Sequence, residues 1–136
     1  MRVSAQRKYL AAIRSFVENR AGALGADTEE VNSLVQAVDE AAANIIMHGY
    51  REKPGLIEIE VNSKPGQVRI ILRDSAPPFN PTRVPSPDIN LPLEQRPIGG
   101  LGIHLIRHCV DEFNHTVSDR GGNELTLVKY LRKPTD

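Results

Sequence analysis

The chain has 136 residues, enough for one domain with its own core, and its seventeen basic and seventeen acidic residues cancel. It has no Lys/Arg run or basic patch that would mark a nucleic-acid partner, no apolar stretch of membrane-spanning length and no signal-peptide pattern. Its single cysteine, Cys109, excludes an internal disulfide and a cysteine-based zinc site, so we expect a cytoplasmic protein with a buried thiol.

Two helices are predicted in the first third of the chain. Apolar residues at helical spacing indicate the first over residues 4–20. A capping box of Asp27 and Glu30, with Thr28 as the alternative cap, begins a second helix that runs to about His48. The apolar face of this second helix consists of Val31, Leu34, Val35, Val38, Ala41, Ala42 and Ile45.

The second helix also has a polar edge. Glu40, Asn44 and His48 follow one another at four-residue intervals, which places them on one side of the helix. A carboxylate and a carboxamide one turn apart can together hold a hydrated cation and take a proton from a hydroxyl group or water. The alternative is the solvated edge of an ordinary core helix.

Two hairpins and one helix are predicted in the remainder. Residues 56–61 alternate apolar and acidic side chains and, with residues 68–72, predict a half-buried antiparallel hairpin. A helix over residues 101–110 precedes a second hairpin formed by residues 113–118 and 125–131. The expected order is α-α-β-β-loop-α-β-β. It predicts a single α+β domain over residues 1–136, a two-layer sandwich in which helices cover one face of a mostly antiparallel sheet.

The segment from Asp74 to Gly100 has no periodicity and contains seven prolines. A loop of this length in a compact domain is usually functional or mobile, and a plain surface excursion is the alternative. Asp74, at the strand end before it, can accept a hydrogen bond from an exocyclic amine such as that of adenine, although an isolated Asp is more often a turn residue.

Glycines stand at the other end of the loop. Residues 98–103 read Ile-Gly-Gly-Leu-Gly-Ile and begin the last helix, where exposed backbone N–H groups and the helix dipole suit phosphates. A tight turn is the alternative. Arg96 is a candidate to reach a terminal phosphate, or else a solvated loop charge. The four histidines do not show metal-ligand spacing.

The order of these features resembles the GHKL, or Bergerat-fold, ATPases, and within them the bacterial anti-sigma-factor serine kinases. The segments of closest similarity are Glu40-Ala41-x-x-Asn44-x3-His48-Gly49-Tyr50 and Gly100-Leu101-Gly102-Ile103. The resemblance covers essentially the whole chain. It implies ATP and magnesium as cofactors and a protein serine/threonine kinase as the activity.

The resemblance also implies residue roles. Asn44 would coordinate magnesium, Glu40 would act as the general base, and Asp74 would bind the adenine amine. Gly100, Leu101 and Gly102 would receive the phosphates with Arg96, under a lid formed by residues 80–99. Asn123 stands where relatives often carry a threonine near adenine. The implied partners are a STAS-type anti-sigma-factor antagonist, as the phosphorylated protein, and a sigma factor; a homodimer is compatible with the resemblance.

Two departures from the family pattern matter. The usual Asp-x-Gly-x-Gly is replaced by Asp74-Ser75-Ala76-Pro77-Pro78, so either this loop does not require positive φ or nucleotide affinity is compromised. The intact Asn44, Asp74 and glycine loop favour the first explanation. In addition, only residues 1–3 are available for the strand that relatives place before the first helix, which weakens the case for an interface on that strand.

Three hypotheses follow. The leading one is a magnesium- and ATP-dependent serine kinase that is also an anti-sigma factor. The second is an ATP-gated protein-binding regulator with little or no kinase activity, suggested by the altered loop after Asp74. The third is a structural domain that binds no nucleotide, in which the three motifs coincide by chance.

Overall fold

The structure is a computed structural model that describes residues 1–83, 100–119 and 121–132. The described part contains five strands and three α-helices. The strands are β1 (Arg2–Ser4), β2 (Leu56–Lys64), β3 (Gln67–Asp74), β4 (Glu112–Val117) and β5 (Asn123–Tyr130). The helices are α1 (Leu10–Ala23), α2 (Thr28–Asn44) and α3 (Gly100–Cys109), with short 3₁₀ turns at Arg7–Tyr9 and Pro81–Arg83.

The strands form one sheet in the order β1-β2-β3-β5-β4, and every neighbouring pair is antiparallel. The α+β class, the antiparallel sheet and both predicted hairpins are therefore confirmed. The prediction for the N-terminus was wrong in two respects. Residues 2–4 form the edge strand β1, and α1 starts at Leu10 rather than Ser4. The element order is accordingly β-α-α-β-β-α-β-β.

The core lies between the helices and one face of the sheet. Alternate residues of the three central strands are almost completely buried, and the helices cover them with Ile13 and Val17 of α1 and Leu34 and Val38 of α2. The buried strand residues are Ile57, Ile59, Ile70, Leu72, Leu125 and Leu127. The opposite face is charged, since Arg73 bridges Glu60 and Glu124 across three strands. The alternating pattern of the hairpin thus encoded its two faces.

Helix α2 has the predicted capping box. The Asp27 side chain accepts from the Glu30 main-chain N–H at 2.8 Å, and Glu30 Oε1 accepts from the Asp27 N–H at 2.9 Å. The helix continues beyond Asn44 as a π-helical turn over Ile45–Gly49. Helix α3 contributes Ile103 and Ile106 to the core, and Cys109 is buried as predicted, which raises the pKa of its thiol. No helix in the described residues has the length and apolarity to cross a membrane.

Glu30 also joins the start of α2 to the last strand. Its side chain is 3% exposed, and Oε2 accepts from the main-chain N–H of Arg132 at 2.8 Å, just beyond β5. We expect Glu30→Ala to lower the free energy of unfolding by about 1–3 kcal/mol, because two N–H groups lose their acceptor. Denaturant unfolding measures this. The control is Glu29→Ala, since Glu29 pairs with Arg132 but is 79% exposed and should change stability by less than about 1 kcal/mol. Equal effects of the two substitutions would contradict the prediction.

Candidate functional site

A cavity of about 850 Å³ opens between α2, α3 and the strand ends that carry Asp74 and Asn123. Asn44 and Ile103 line one part of it. Much of the remaining wall is apolar and comes from both helices, from β4 and β5 and from the segment after Asp74. That wall includes Ala41, Ile45, Ile106, Phe113, Leu125, Pro77, Pro78 and Phe79. A mostly apolar cleft with a few fixed polar groups is the usual form of a small-molecule site.

Asp74 stands at the polar end of this cavity. Its side chain is 8% exposed, and the close hydrogen bonds made to it by described residues both reach Oδ1: from Ala76 N at 2.9 Å and from Asn123 Nδ2 at 3.0 Å. Neither of these two hydrogen bonds reaches Oδ2. Burial raises the pKa of the carboxyl group, and the hydrogen bond from Asn123 opposes this rise.

Asn123 is a buried residue of β5 whose side chain forms hydrogen bonds with Asp74 and the segment that follows it. Besides Asp74, its Nδ2 lies within hydrogen-bonding distance of the carbonyl oxygens of Ala76 (3.3 Å) and Pro77 (3.2 Å). Its Oδ1 accepts from Phe79 N at 2.9 Å and faces His115 Nε2 at 2.7 Å, so that nitrogen carries the proton. Both ends of the amide are thus engaged within the protein, and Asn123 orients the site rather than offering a free polar atom to a ligand.

The segment after Asp74 does not require glycine. Arg51 and Glu52 are the only non-glycine residues of the described chain with positive φ, so Ala76 adopts an ordinary backbone conformation. The Ala76 side chain is 1% exposed and packs against Gly49, where an added Cβ would lie 3.2 Å from its methyl carbon. Of the two explanations for the missing glycines, the structure supports the first: this loop has no need of positive φ.

Glu40, Asn44 and Gly102 come together at the contact between α2 and α3. A Cβ added to Gly102 would lie 2.7 Å from Glu40 Oε2 and 3.6 Å from Asn44 Nδ2. Glycine at this position lets the first turn of α3 approach the polar edge of α2. Asn44 lines the cavity, whereas Glu40 is half-buried and does not line it. His48, from the π-helical turn, lines the cavity as well.

The side-chain amide of Asn44 has an unfilled hydrogen-bonding position. Nδ2 is buried and has no partner among the described residues, a state that costs about 1–3 kcal/mol if nothing else satisfies it. Rotating the amide by half a turn exchanges its donor and acceptor ends. A carboxamide oxygen suits Mg²⁺, which commonly takes one or two protein groups and completes its shell with phosphate oxygens and water. The residues present therefore fit a magnesium ion shared with phosphates.

The remaining predicted site residues are placed less completely. Gly100 and Leu101 form the first turn of α3, so the glycine run does begin a helix as predicted. Arg96 and residues 84–99 of the predicted lid lie outside the described residues. His104 and His108 approach one another on α3, with Nε2 atoms 3.1 Å apart, and neither lines the cavity.

Residues 3–129 match the family described as the histidine kinase-like ATPase domain. The chain belongs to the histidine kinase-like ATPase family. Its curated relatives include two proteins named serine-protein kinase RsbW, from Bacillus mycoides (strain KBAB4) and Bacillus cereus (strain B4264). Each is 28% identical over 98% of this chain and 84% of the relative.

One solved structure has the same fold as this histidine kinase-like ATPase. It is the crystal structure of the RsbU and RsbW domains of Rv1364c from Mycobacterium tuberculosis, with a TM-score of 0.61 at 18% identity. The match covers 99% of this chain and 34% of that longer chain.

Tyr50 is a site residue to which the sequence assigned no role. Its hydroxyl donates to Leu56 O at 2.7 Å and accepts from Ser75 N at 2.7 Å, so it joins the start of β2 to the residue after Asp74. Its ring lies where a Cβ on Gly55 would be, 2.3 Å from the nearest ring atom. The sequence feature that could have identified Tyr50 was its place beside Gly49, at the end of the Glu40–Tyr50 segment that resembles the family.

Gly122 sets the spacing between β5 and Asp74. A Cβ there would lie 1.9 Å from the main-chain oxygen of Asp74 and 3.0 Å from Ser75 Cα, so backbone would have to move. We expect Gly122→Ala to lower the free energy of unfolding by at least about 1–3 kcal/mol and to weaken nucleotide binding. Denaturant unfolding and a nucleotide titration measure the two effects.

The control is Gly22→Ala. Gly22 lies in α1 with nothing within 4 Å of the position a Cβ would take, so this variant should keep or gain stability. Full stability of Gly122→Ala would contradict the prediction.

Proposed function

We propose that this protein is a magnesium- and ATP-dependent protein serine/threonine kinase whose cavity binds ATP between Asp74 and the start of α3. The observation that carries the proposal is the convergence of Glu40, Asn44 and Gly102 beside a cavity that has Asp74 at another part of its wall. The names of the relatives, serine-protein kinase RsbW, support this activity over simple ATP hydrolysis.

Adenine recognition falls to Asp74 in this proposal. Oδ2 of its carboxylate would accept from the exocyclic amine of the base, while Oδ1 keeps its two protein donors. The apolar cavity wall excludes water from the base and so strengthens that hydrogen bond. Guanine carries a carbonyl oxygen where adenine has the amine, and an acceptor facing a carboxylate is unfavourable. Selectivity for ATP over GTP follows.

Asn44, Gly100 and Gly102 would serve the phosphates. Asn44 would hold the magnesium ion, which neutralises part of the phosphate charge, and main-chain N–H groups at the start of α3 would face the phosphate oxygens. Leu101, the residue between the two glycines, belongs to the same helical turn and is part of the proposed phosphate site. Arg96 and the loop over residues 80–99 remain proposed as the terminal phosphate contact and the lid.

Glu40 would be the general base. In the transfer, the serine oxygen of the partner forms a bond to the γ-phosphorus, the bond from that phosphorus to the β–γ bridging oxygen breaks, and ADP leaves. The serine proton passes to the Glu40 carboxylate. Phosphoryl transfer demands positioning and charge neutralisation more than covalent chemistry, which agrees with so small a set of residues.

The partner in this proposal is a STAS-type anti-sigma-factor antagonist, with a sigma factor as the protein sequestered in the alternate state of the circuit. The experiment incubates the protein with magnesium-ATP and a STAS-type antagonist from the same genome, and locates phosphate by mass spectrometry. Phosphate on one partner serine is expected. No phosphorylation of the partner together with no ATP binding would refute the proposal.

A second candidate is an ATP-gated protein-binding regulator with little or no kinase activity. It is favoured by one observation, that Glu40 faces the first turn of α3 and does not line the cavity. Glu40→Ala separates the two functions. If the unaltered protein phosphorylates the partner and Glu40→Ala does not, the kinase is supported. If the unaltered protein does not phosphorylate the partner, and Glu40→Ala binds the partner in the same ATP-dependent way, the regulator is supported.

A further inference from the structure

His104 and His108 form a pair on α3 that has no part in the proposed nucleotide site. Their Nε2 atoms are 3.1 Å apart, the two rings are nearly perpendicular at 82°, and neither ring lines the cavity. No third ligand follows this pair at metal-site spacing, so the sequence did not predict a metal here. What the structure adds is the direction of the two ring nitrogens, which point at one another.

The pair lies on the side of α3 that faces away from α2. Gly102 of α3 lies against Glu40 of α2. Each residue of an α-helix is rotated by about 100° from the one before, so His104 is turned by about 200° from Gly102, to the opposite side of α3. His104 is half-buried and His108, one turn later, is exposed. The pair is therefore open to solvent and separate from the polar edge of α2 at which magnesium is proposed.

The distance between the two ring nitrogens suits a shared cation. Two nitrogens bound to one zinc ion at about 2.0–2.1 Å are about 2.9 Å apart at a right angle and about 3.3 Å apart at the tetrahedral angle. The observed 3.1 Å lies between these values. Neutral imidazole has one donor and one acceptor nitrogen, so the facing Nε2 atoms either share one proton or both present lone pairs to a metal ion. A helix that already holds both rings at this separation loses little conformational entropy on binding an ion.

We propose that His104 and His108 form a two-point chelate for a divalent transition-metal ion such as Zn²⁺, with water in the remaining positions. Imidazole nitrogen suits zinc, nickel and copper, whereas magnesium prefers oxygen ligands, so the proposed magnesium site does not compete for the same ion. Among the described residues no group of three or more His, Cys, Asp or Glu side chains could hold a metal ion, so the protein supplies two ligands. The chelate needs neither ATP nor kinase activity, and it stands apart from the proposed function.

The first test is a calorimetric titration of nucleotide-free, chelator-treated protein with zinc chloride. One ion per chain is expected, and excess magnesium chloride should not displace it. His104→Gln and His108→Gln should each lower zinc affinity by at least about tenfold, since loss of an outer-shell partner of a metal ligand alone costs about 10- to 100-fold. The control is His48→Gln, which removes a histidine that lines the cavity and should leave zinc affinity unchanged.

The second test needs no substitution. Nitrogen NMR of the unaltered protein, labelled at histidine, should show that zinc shifts the Nε2 resonances of both His104 and His108 and leaves those of His115 in place. Thermal unfolding should rise with zinc concentration, because the ion binds the folded helix.

Three results would overturn the chelate. They are the absence of zinc binding by the unaltered protein, full zinc affinity in both His104→Gln and His108→Gln, and a hydrogen bond between the two Nε2 atoms that persists at excess zinc. Loss of zinc binding in His48→Gln alone would place the ion in the cavity and overturn the chelate as well. None of these results bears on ATP binding, which is measured separately.

Discussion

Glu40→Gln is expected to reduce the rate of partner phosphorylation about 10²- to 10⁴-fold while magnesium-ATP binds as before. Glutamine keeps the volume that Glu40 occupies against Gly102, so the contact between α2 and α3 is preserved. What it removes is the group that accepts the serine proton. The rate comes from single-turnover transfer of labelled phosphate, and the affinity from a separate calorimetric titration.

The matched control for Glu40 is Asp39→Asn. Asp39 is the adjacent carboxylate on α2, and it pairs with Arg14 of α1 at 2.8 Å, whereas Glu40 faces Gly102 of α3. Its substitution should leave the phosphorylation rate near that of the unaltered protein. If Glu40→Gln retained full activity, or if both substitutions reduced the rate equally, Glu40 would not be the general base.

Asp74→Asn should separate stability from nucleotide binding. Burial raises the pKa of Asp74, which means that the folded state favours the protonated carboxyl group. The stability linked to that protonation is present below the ordinary carboxyl range and is lost as pH rises through the raised pKa. Asparagine is neutral and keeps an oxygen for Ala76 N and Asn123 Nδ2, so the substituted protein should be at least as stable at pH 7.

Nucleotide affinity should change in the opposite direction. The substitution removes the charged acceptor for the adenine amine, and a hydrogen bond to a charged group contributes about 1.5–3 kcal/mol, or roughly 10- to 150-fold in affinity. Thermal unfolding with and without magnesium-ATP measures both effects, because a ligand that binds only the folded state raises its stability. An Asp74→Asn protein with lowered intrinsic stability and an undiminished ATP shift would contradict this account.

Local signals were sufficient to predict much of this fold. The capping box at Asp27 and Glu30 is a contact between residues three apart, and the faces of β2 follow from strict alternation. Strand β1 escaped prediction because it has only three residues and pairs through its backbone with β2, more than fifty positions away. The contact between Glu30 and Arg132 spans 102 positions and has no local pattern at all.

In the candidate site too, some features were predictable from local sequence and others depended on distant contacts. The places of Asp74 at a strand end and of the Gly100-Leu101-Gly102 run at a helix start were predictable, because both are recognisable from neighbouring residues. The role of Asn123 was not, since its contacts with Ala76, Pro77 and Phe79 depend on how β5 lies beside the end of β3. The same packing explains the loop after Asp74. An alanine at position 76 is accommodated because Gly49 provides room for its methyl group.

The most direct test of the central claim is a calorimetric titration of the unaltered protein with ATP and with GTP, each with and without magnesium. One ATP site per chain is expected, with tighter binding in the presence of magnesium because of Asn44 and weaker binding of GTP because Asp74 accepts from the adenine amine. No measurable ATP binding, or equal affinity for the two nucleotides, would contradict it.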